Sequence, residues 1–163
     1  MGSGQILVDE HEGVYVIKLI GDVRLTLCVS FDRFIEDMFA NEPLKSVLFD
    51  LTEAEAIDST TLGLMAKISI GARDRGLAAP TVLVSSAGIE RLLVSMGFED
   101  IFEVLRNKST PLAATEPLSE IVDDERAVEQ KVLEAHQILM NINNENMQKF
   151  HDLVESLQDQ DNE

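Results

Sequence analysis

The chain is poor in the residues that build stapled, metal-bound or membrane-spanning structures. It has one cysteine, Cys28, no tryptophan and three histidines in 163 residues. A single thiol excludes an internal disulfide and a metal site built on several cysteines, and it agrees with a reducing compartment. Basic residues are scarce as well: 13 Lys+Arg stand against 30 Asp+Glu, a formal net charge of −17. Such a field repels phosphate backbones and anionic head groups, so no direct nucleic-acid partner and no membrane surface is expected. No apolar run reaches the roughly 20 residues that span a bilayer, and the N-terminus lacks the basic-then-apolar order of a secretory leader. A cytoplasmic location is expected.

Catalytic groups are equally thin. His11, His136 and His151 lie far apart and show no metal-ligand spacing to their neighbours, so each reads as an ordinary surface or boundary histidine. Cys28 lies on an apolar stretch without a neighbouring histidine and reads as a buried, inert thiol. Gly71, Gly76 and Gly88 form neither a phosphate loop nor a dinucleotide fingerprint. These absences point away from an enzyme; no catalytic residue, cofactor or metal is expected.

What is present is an alternation of strand and helix signals. With 45% hydrophobic and 26% charged residues the composition suits one soluble domain with an appendage. Gln5–Val8 and Val14–Gly21 read as a hairpin joined by a tight acidic turn. Leu27, Phe31, Phe34, Ile35 and Met38 follow at helical spacing, with Thr26 or Ser30 as a start and Asn41-Glu42-Pro43 as a stop. Ser46–Leu51 reads as a buried strand, Thr81–Ser85 as a central strand, Ser86–Met96 as a short helix closed by Gly97, and Ile101–Leu105 as an edge strand. Crossover helices between strands predict an α/β fold with a mixed, mainly parallel sheet.

The organising stretch is Ala56-Ile57-Asp58-Ser59-Thr60-Thr61-Leu62-Gly63-Leu64-Met65. Asp58 to Thr61 are residue types that satisfy the free amides of a first helical turn, and Leu62, Met65 and Ile68 continue at helical spacing toward Arg73–Gly76. A phosphate on Ser59 would add roughly −1.5 to −2 charge at a helix end that favours anions. Read without any relative, Asp58 to Thr61 simply cap a helix. Asp50, Glu53, Glu55 and Asp58 around the motif read as a solvated acidic rim for a basic partner in preference to a cation site.

Strand, acidic turn, Asp-Ser-[Ser/Thr]-x-Leu-Gly and helix together resemble the motif of STAS domains, the anti-sigma factor antagonists. The resemblance runs from about Ile6 to Leu105 and includes Met96-Gly97-Phe98. It implies a STAS-like fold in which Ser59 is the phosphorylation site, and it places Asp58, Ser59, Thr60, Thr61, Arg24 and Glu55 at a partner-binding surface. Two departures stand out: Thr61 occupies a position that is usually glycine, and Arg24 lies where an aspartate is common. The implied partners are an anti-sigma factor, either separate from or identical with the serine kinase, and a serine phosphatase. The other class left open is a constitutive STAS accessory or scaffold subunit, for example of a transporter ATPase, in which Ser59 is only a helix cap.

The organisation predicted is a STAS-like domain over 5–106, a linker over 107–118 and a C-terminal helical extension over 119–158. Val128, Val132, Ala135, Leu139 and Ile142 fall at steps of four and three, the seam of a helix that packs on another. Met147, Phe150, Val154 and Leu157 repeat the rhythm after a slip that coincides with Asn141, Asn143, Asn144 and Asn146. A kink or turn is therefore predicted near 141–146, with the second half folding back and some self-association through these helices.

Overall fold

A computed structural model describes residues 4–41, 44–106, 116–121 and 123–161, apart from the side chains of the last two. Gln5–His11 (β1) and Val14–Val23 (β2) pair antiparallel. The turn between them is only Glu12-Gly13, at φ 51° and 87°. Positive φ at both positions gives a hairpin turn whose twist matches its strands. Ser46–Ile57 (β3) lies parallel to β2, Thr81–Val84 (β4) parallel to β3, and Glu103–Arg106 (β5) parallel to β4. Glu116–Pro117 (β6) pairs antiparallel with β1, so the six-stranded order is β5-β4-β3-β2-β1-β6. The mixed, mainly parallel sheet is thus as the sequence predicts.

The helices are Cys28–Ala40 (α1), Ser59–Asp74 (α2), Ala87–Ser95 (α3), Glu125–Met140 (α4) and Asn144–Asp161 (α5). Inward positions of the two long parallel strands, among them Ile17, Leu19, Phe49 and Leu51, are wholly buried with Phe31, Ile35, Leu62, Met65 and Phe98. Burying one such side chain contributes about 1.5–3 kcal/mol.

Several local readings change. The supposed acidic turn after Leu51 is strand: β3 runs on to Ile57, and Ala54 and Ile57 are buried between exposed Glu53, Glu55 and Ala56. Asp50 leaves the acidic rim altogether. It is fully buried and accepts from both the amide and the hydroxyl of Thr52. Neither Thr26 nor Ser30 caps α1; a 3-10 turn over Leu25–Leu27 leads into it, and the Ser30 hydroxyl donates to the Leu27 carbonyl. Asn41 closes α1, whereas Glu42 and Pro43 lie outside the described residues. β4 is interior but one strand from the edge. Of the stretch read as linker, 107–115 lie outside the described residues, and Glu116 and Pro117 belong to the sheet.

After β6 the chain returns to the helical layer. Asp124 caps α4 through the Ala127 amide, and α4 packs along α2 and α1. The approach to α2 is close: a Cβ at Gly63 would run into the Ala135 carbonyl. The chain then turns at Asn141–Asn143, and α5 folds back on α4. The asparagines build this turn. Asn143 accepts from the Asn146 amide (2.7 Å), and the buried Asn146 donates to the carbonyls of Met96 (2.8 Å) and Leu139 (3.0 Å). Because Asn146 takes the inward position, Met147, read as a seam residue, is exposed, while Phe150 and Val154 are buried. No helix among the described residues is long and apolar enough to cross a membrane.

Candidate functional site

The site begins at Asp58, whose extended backbone (φ −78°, ψ 166°) joins β3 to α2. Its amide donates to the Val23 carbonyl (3.1 Å), one carboxylate oxygen accepts from the Thr61 amide (2.8 Å), and the other from the Leu25 amide (2.6 Å). One side chain thereby caps α2 and ties it to the loop after β2. Such a cap is worth about 0.5–2 kcal/mol. Ser59 follows as the first residue of α2. Its hydroxyl is not the cap, which corrects that reading, and it is free for another role.

Its partner is His136 on α4. Ser59 Oγ lies 2.7 Å from His136 Nε2, and His136 Nδ1 lies 2.6 Å from the Val132 carbonyl. A carbonyl accepts only, so Nδ1 carries a proton; in the neutral ring Nε2 then offers its lone pair and the Ser59 hydroxyl donates. Phe150 of α5 meets the imidazole edge-on at 5.3 Å between ring centres. The ring is 3% exposed, which corrects the reading of His136 as a surface or boundary histidine.

The other candidates divide. Ser59 is half-buried, and Thr60 and Thr61 are buried and face the fold's interior. Glu55 is exposed on the extension of β3. Arg24 stands near the motif, but its guanidinium is held by Asp22 at 2.7 Å. That hydrogen bond, the Asp22 charge and, more weakly, the Asp58 charge raise its pKa above the ordinary value.

Beside the Ser59–His136 pair lies a charge cluster that joins three helices. Asp32 of α1, 1% exposed, accepts from Lys67 of α2 (2.7 Å) and Lys131 of α4 (2.5 Å), and Lys67 also binds Glu134 (2.6 Å). Burial works to raise the Asp32 pKa, but the hydrogen bonds from Lys131 and Lys67 and their charges outweigh it and hold the carboxylate below its ordinary 3.8. For both lysines burial lowers the pKa, yet Asp32 and Glu134 together keep it above 10.5. Cys28 is buried, and desolvation followed by the Asp58 and Asp32 charges pushes its thiol up to about 11, in keeping with an inert group. On α5 the ligand atoms of His151, Asp152 and Glu155 lie within 4.8 Å of one another, a grouping that the linear spacing did not suggest. All three are exposed.

The STAS domain profile matches residues 5–114. The chain belongs to the STAS domain family. Among solved structures, an anti-sigma factor antagonist from Mycobacterium paratuberculosis superposes at a TM-score of 0.51 with 18% identity, over 64% of this chain and 87% of that one. A candidate anti-sigma factor antagonist from Thermotoga maritima superposes at 0.55 with 17% identity, over 63% and 87%. These likenesses speak for the STAS fold. No curated protein matches the chain by sequence. The STAS match ends at 114, ahead of α4 and α5, so the residues that cover Ser59 come from outside it.

The sequence contained one overlooked signal. His136 stands four residues after Val132 and three before Leu139, on the face that the seam predicts to be inward. Its burial was therefore legible, whereas its pairing with a serine 77 positions away was not.

Proposed function

We propose that this STAS protein is an anti-sigma factor antagonist that sequesters an anti-sigma factor while Ser59 is unmodified and releases it when Ser59 is phosphorylated. The observation that carries the reading is Ser59 at the first position of α2 with its hydroxyl unused in capping, because Asp58 supplies the cap. A phosphate there adds negative charge beside Asp58 and near Glu55, and an interface that accepts the unmodified surface loses affinity by repulsion and desolvation. The role is one of binding, not catalysis, and acts on transcription from the cytoplasm. A serine kinase, either separate from or identical with the anti-sigma factor, and a serine phosphatase complete the cycle.

The test is a titration against the anti-sigma factor together with intact-mass analysis of the protein from its host. Ser59→Asp should weaken binding by about 1–3 kcal/mol, roughly 5- to 150-fold in Kd, while Ser59→Ala should bind like wild type. Equal affinity of Ser59→Asp and wild type, with no phosphate on Ser59 in the host, would sink the reading. The cover that α4 places over Ser59 favours a second reading, a constitutive STAS accessory or scaffold subunit. Site-localised phosphate on Ser59 decides against that one.

A further inference from the structure

We propose that the α4–α5 hairpin is a releasable cover on α2, latched by the hydrogen bond from Ser59 to His136, and that a phosphate on Ser59 opens it. The inference rests on the reading of Ser59 as a modified residue and adds what the modification does to this chain. A phosphorus atom bonded to Ser59 Oγ would fall inside the 2.7 Å that separates Oγ from His136 Nε2. Swinging the phosphate aside instead leaves Nε2 without its donor on a ring that is 3% exposed, a costly state for a buried polar atom. The Ser59 and Thr60 amides, ahead of the Thr61 amide that Asp58 holds, offer the anion an alternative to the imidazole.

The hairpin is attached in a way that permits release. Beside an apolar stripe that includes Ala135, Leu139, Phe150 and Val154, with Val128, Ile138 and Ile142 partly buried against the core, it is held by polar contacts: Ser59 to His136, Asp32 to Lys131, Lys67 to Glu134, and Asn146 to the Met96 carbonyl. Among the described residues the buried oxygen of Asn146 has no partner in the docked state, and it gains water on release. β6 stays paired with β1, so the opened hairpin remains tethered to the sheet. Opening uncovers the Gly63 face of α2 and the Ala135–Leu139 stripe of α4 together. The phosphorylated protein therefore presents surfaces that the unmodified one hides.

The experiment is amide hydrogen exchange on the full-length protein, unmodified and with phosphoserine installed genetically at position 59. Amides of α4 should exchange about tenfold or more faster in the phosphorylated protein while those of β2 and β3 stay protected. Gly63→Ala, which drives a methyl group into the Ala135 carbonyl while favouring α2 as a helix, should give the same pattern without phosphate. Ser59→Ala, which removes the hydrogen bond without adding bulk or charge, should speed α4 exchange by about 2- to 30-fold, less than the phosphate does. Unchanged or slower exchange in α4 on phosphorylation, as when a protonated His136 pairs with the phosphate, overturns the latch. So does exchange of α4 only in step with the sheet in both variants. Because the phosphate is installed, the latch can fail while phosphate-sensitive partner binding stands, and the reverse holds equally.

Discussion

The strands β2 and β3 and the hairpin of α4 and α5 are both buried against the rest of the molecule, but by different means. Ile17, Leu19, Phe49 and Leu51 are wholly buried, and Phe49 meets Phe102 edge-on at 5.8 Å. Their contribution comes from removing apolar surface from water, which has no direction and does not depend on protonation. The hairpin adds to an apolar stripe of its own, Ala135, Leu139 and Phe150, individual donors and acceptors around Ser59, Asp32 and Asn146. Buried ion pairs add little net stability, yet removing one member is costly. A region held this way is firm under one set of charges and loosened by a single change among them, whereas the sheet is indifferent to such a change.

The largest expected break in the comparison comes from the apolar side. Phe49→Ala should cost about 3–5 kcal/mol, read as a lower denaturant midpoint shared by sheet and hairpin. Loss of the α4 signal alone, with the sheet transition unmoved, would contradict the assignment of the core to β2 and β3.

A smaller and more selective effect is expected from Asp32→Ala. Removing one member of a fully buried pair costs about 3–5 kcal/mol, and the value here should fall below that range because Lys67 and Lys131 keep access to solvent and Glu134 remains. The pH dependence follows from the shifts. Asp32 is held below 3.8 in the folded chain, so its contribution is present above that value and is lost as pH falls through the depressed pKa. Lys67 and Lys131 are held above 10.5, so theirs is present below that value and is lost as pH rises through the raised pKa. The contribution of this cluster to the exchange protection of α4 should therefore be flat between these limits, and Asp32→Ala should remove its acid limb. An unchanged acid limb in the variant would assign it to other carboxylates.

The same contrast explains what the sequence could disclose. Strands and helices whose burial is apolar were legible from period alone, as with Val14–Gly21 or Leu27–Met38. The far half of β3 was not, because Glu53 and Glu55 read as a turn although they alternate with Ala54 and Ala56 at strand period. β6 is two residues long and ends in proline, which leaves no pattern to read. At the site, the motif showed Ser59 and Asp58 but not which of them caps. The cap depends on a carboxylate reaching both Leu25 and Thr61, a matter of tertiary position. The asparagines near 141–146 marked a break in the helix without showing that Asn146 would be buried against Met96.

The smallest expected effect isolates the latch itself. Ser59→Ala removes one hydrogen bond and leaves the His136 acceptor unpaired, whereas His136→Phe removes the acceptor and leaves a half-buried hydroxyl that water can reach. Each single change should cost about 0.5–2 kcal/mol in the free energy of α4 opening, with the serine change acting through the orphaned ring nitrogen. The double variant replaces both polar partners by apolar groups, and a phenyl ring keeps the edge-on contact with Phe150. It should therefore lie closer to wild type than the sum of the singles, with a coupling of about 1 kcal/mol. A coupling indistinguishable from zero in hydrogen exchange would mean that Ser59 and His136 are neighbours without energetic consequence. The hold on α4 would then rest with Asp32, Asn146 and the Leu139 stripe.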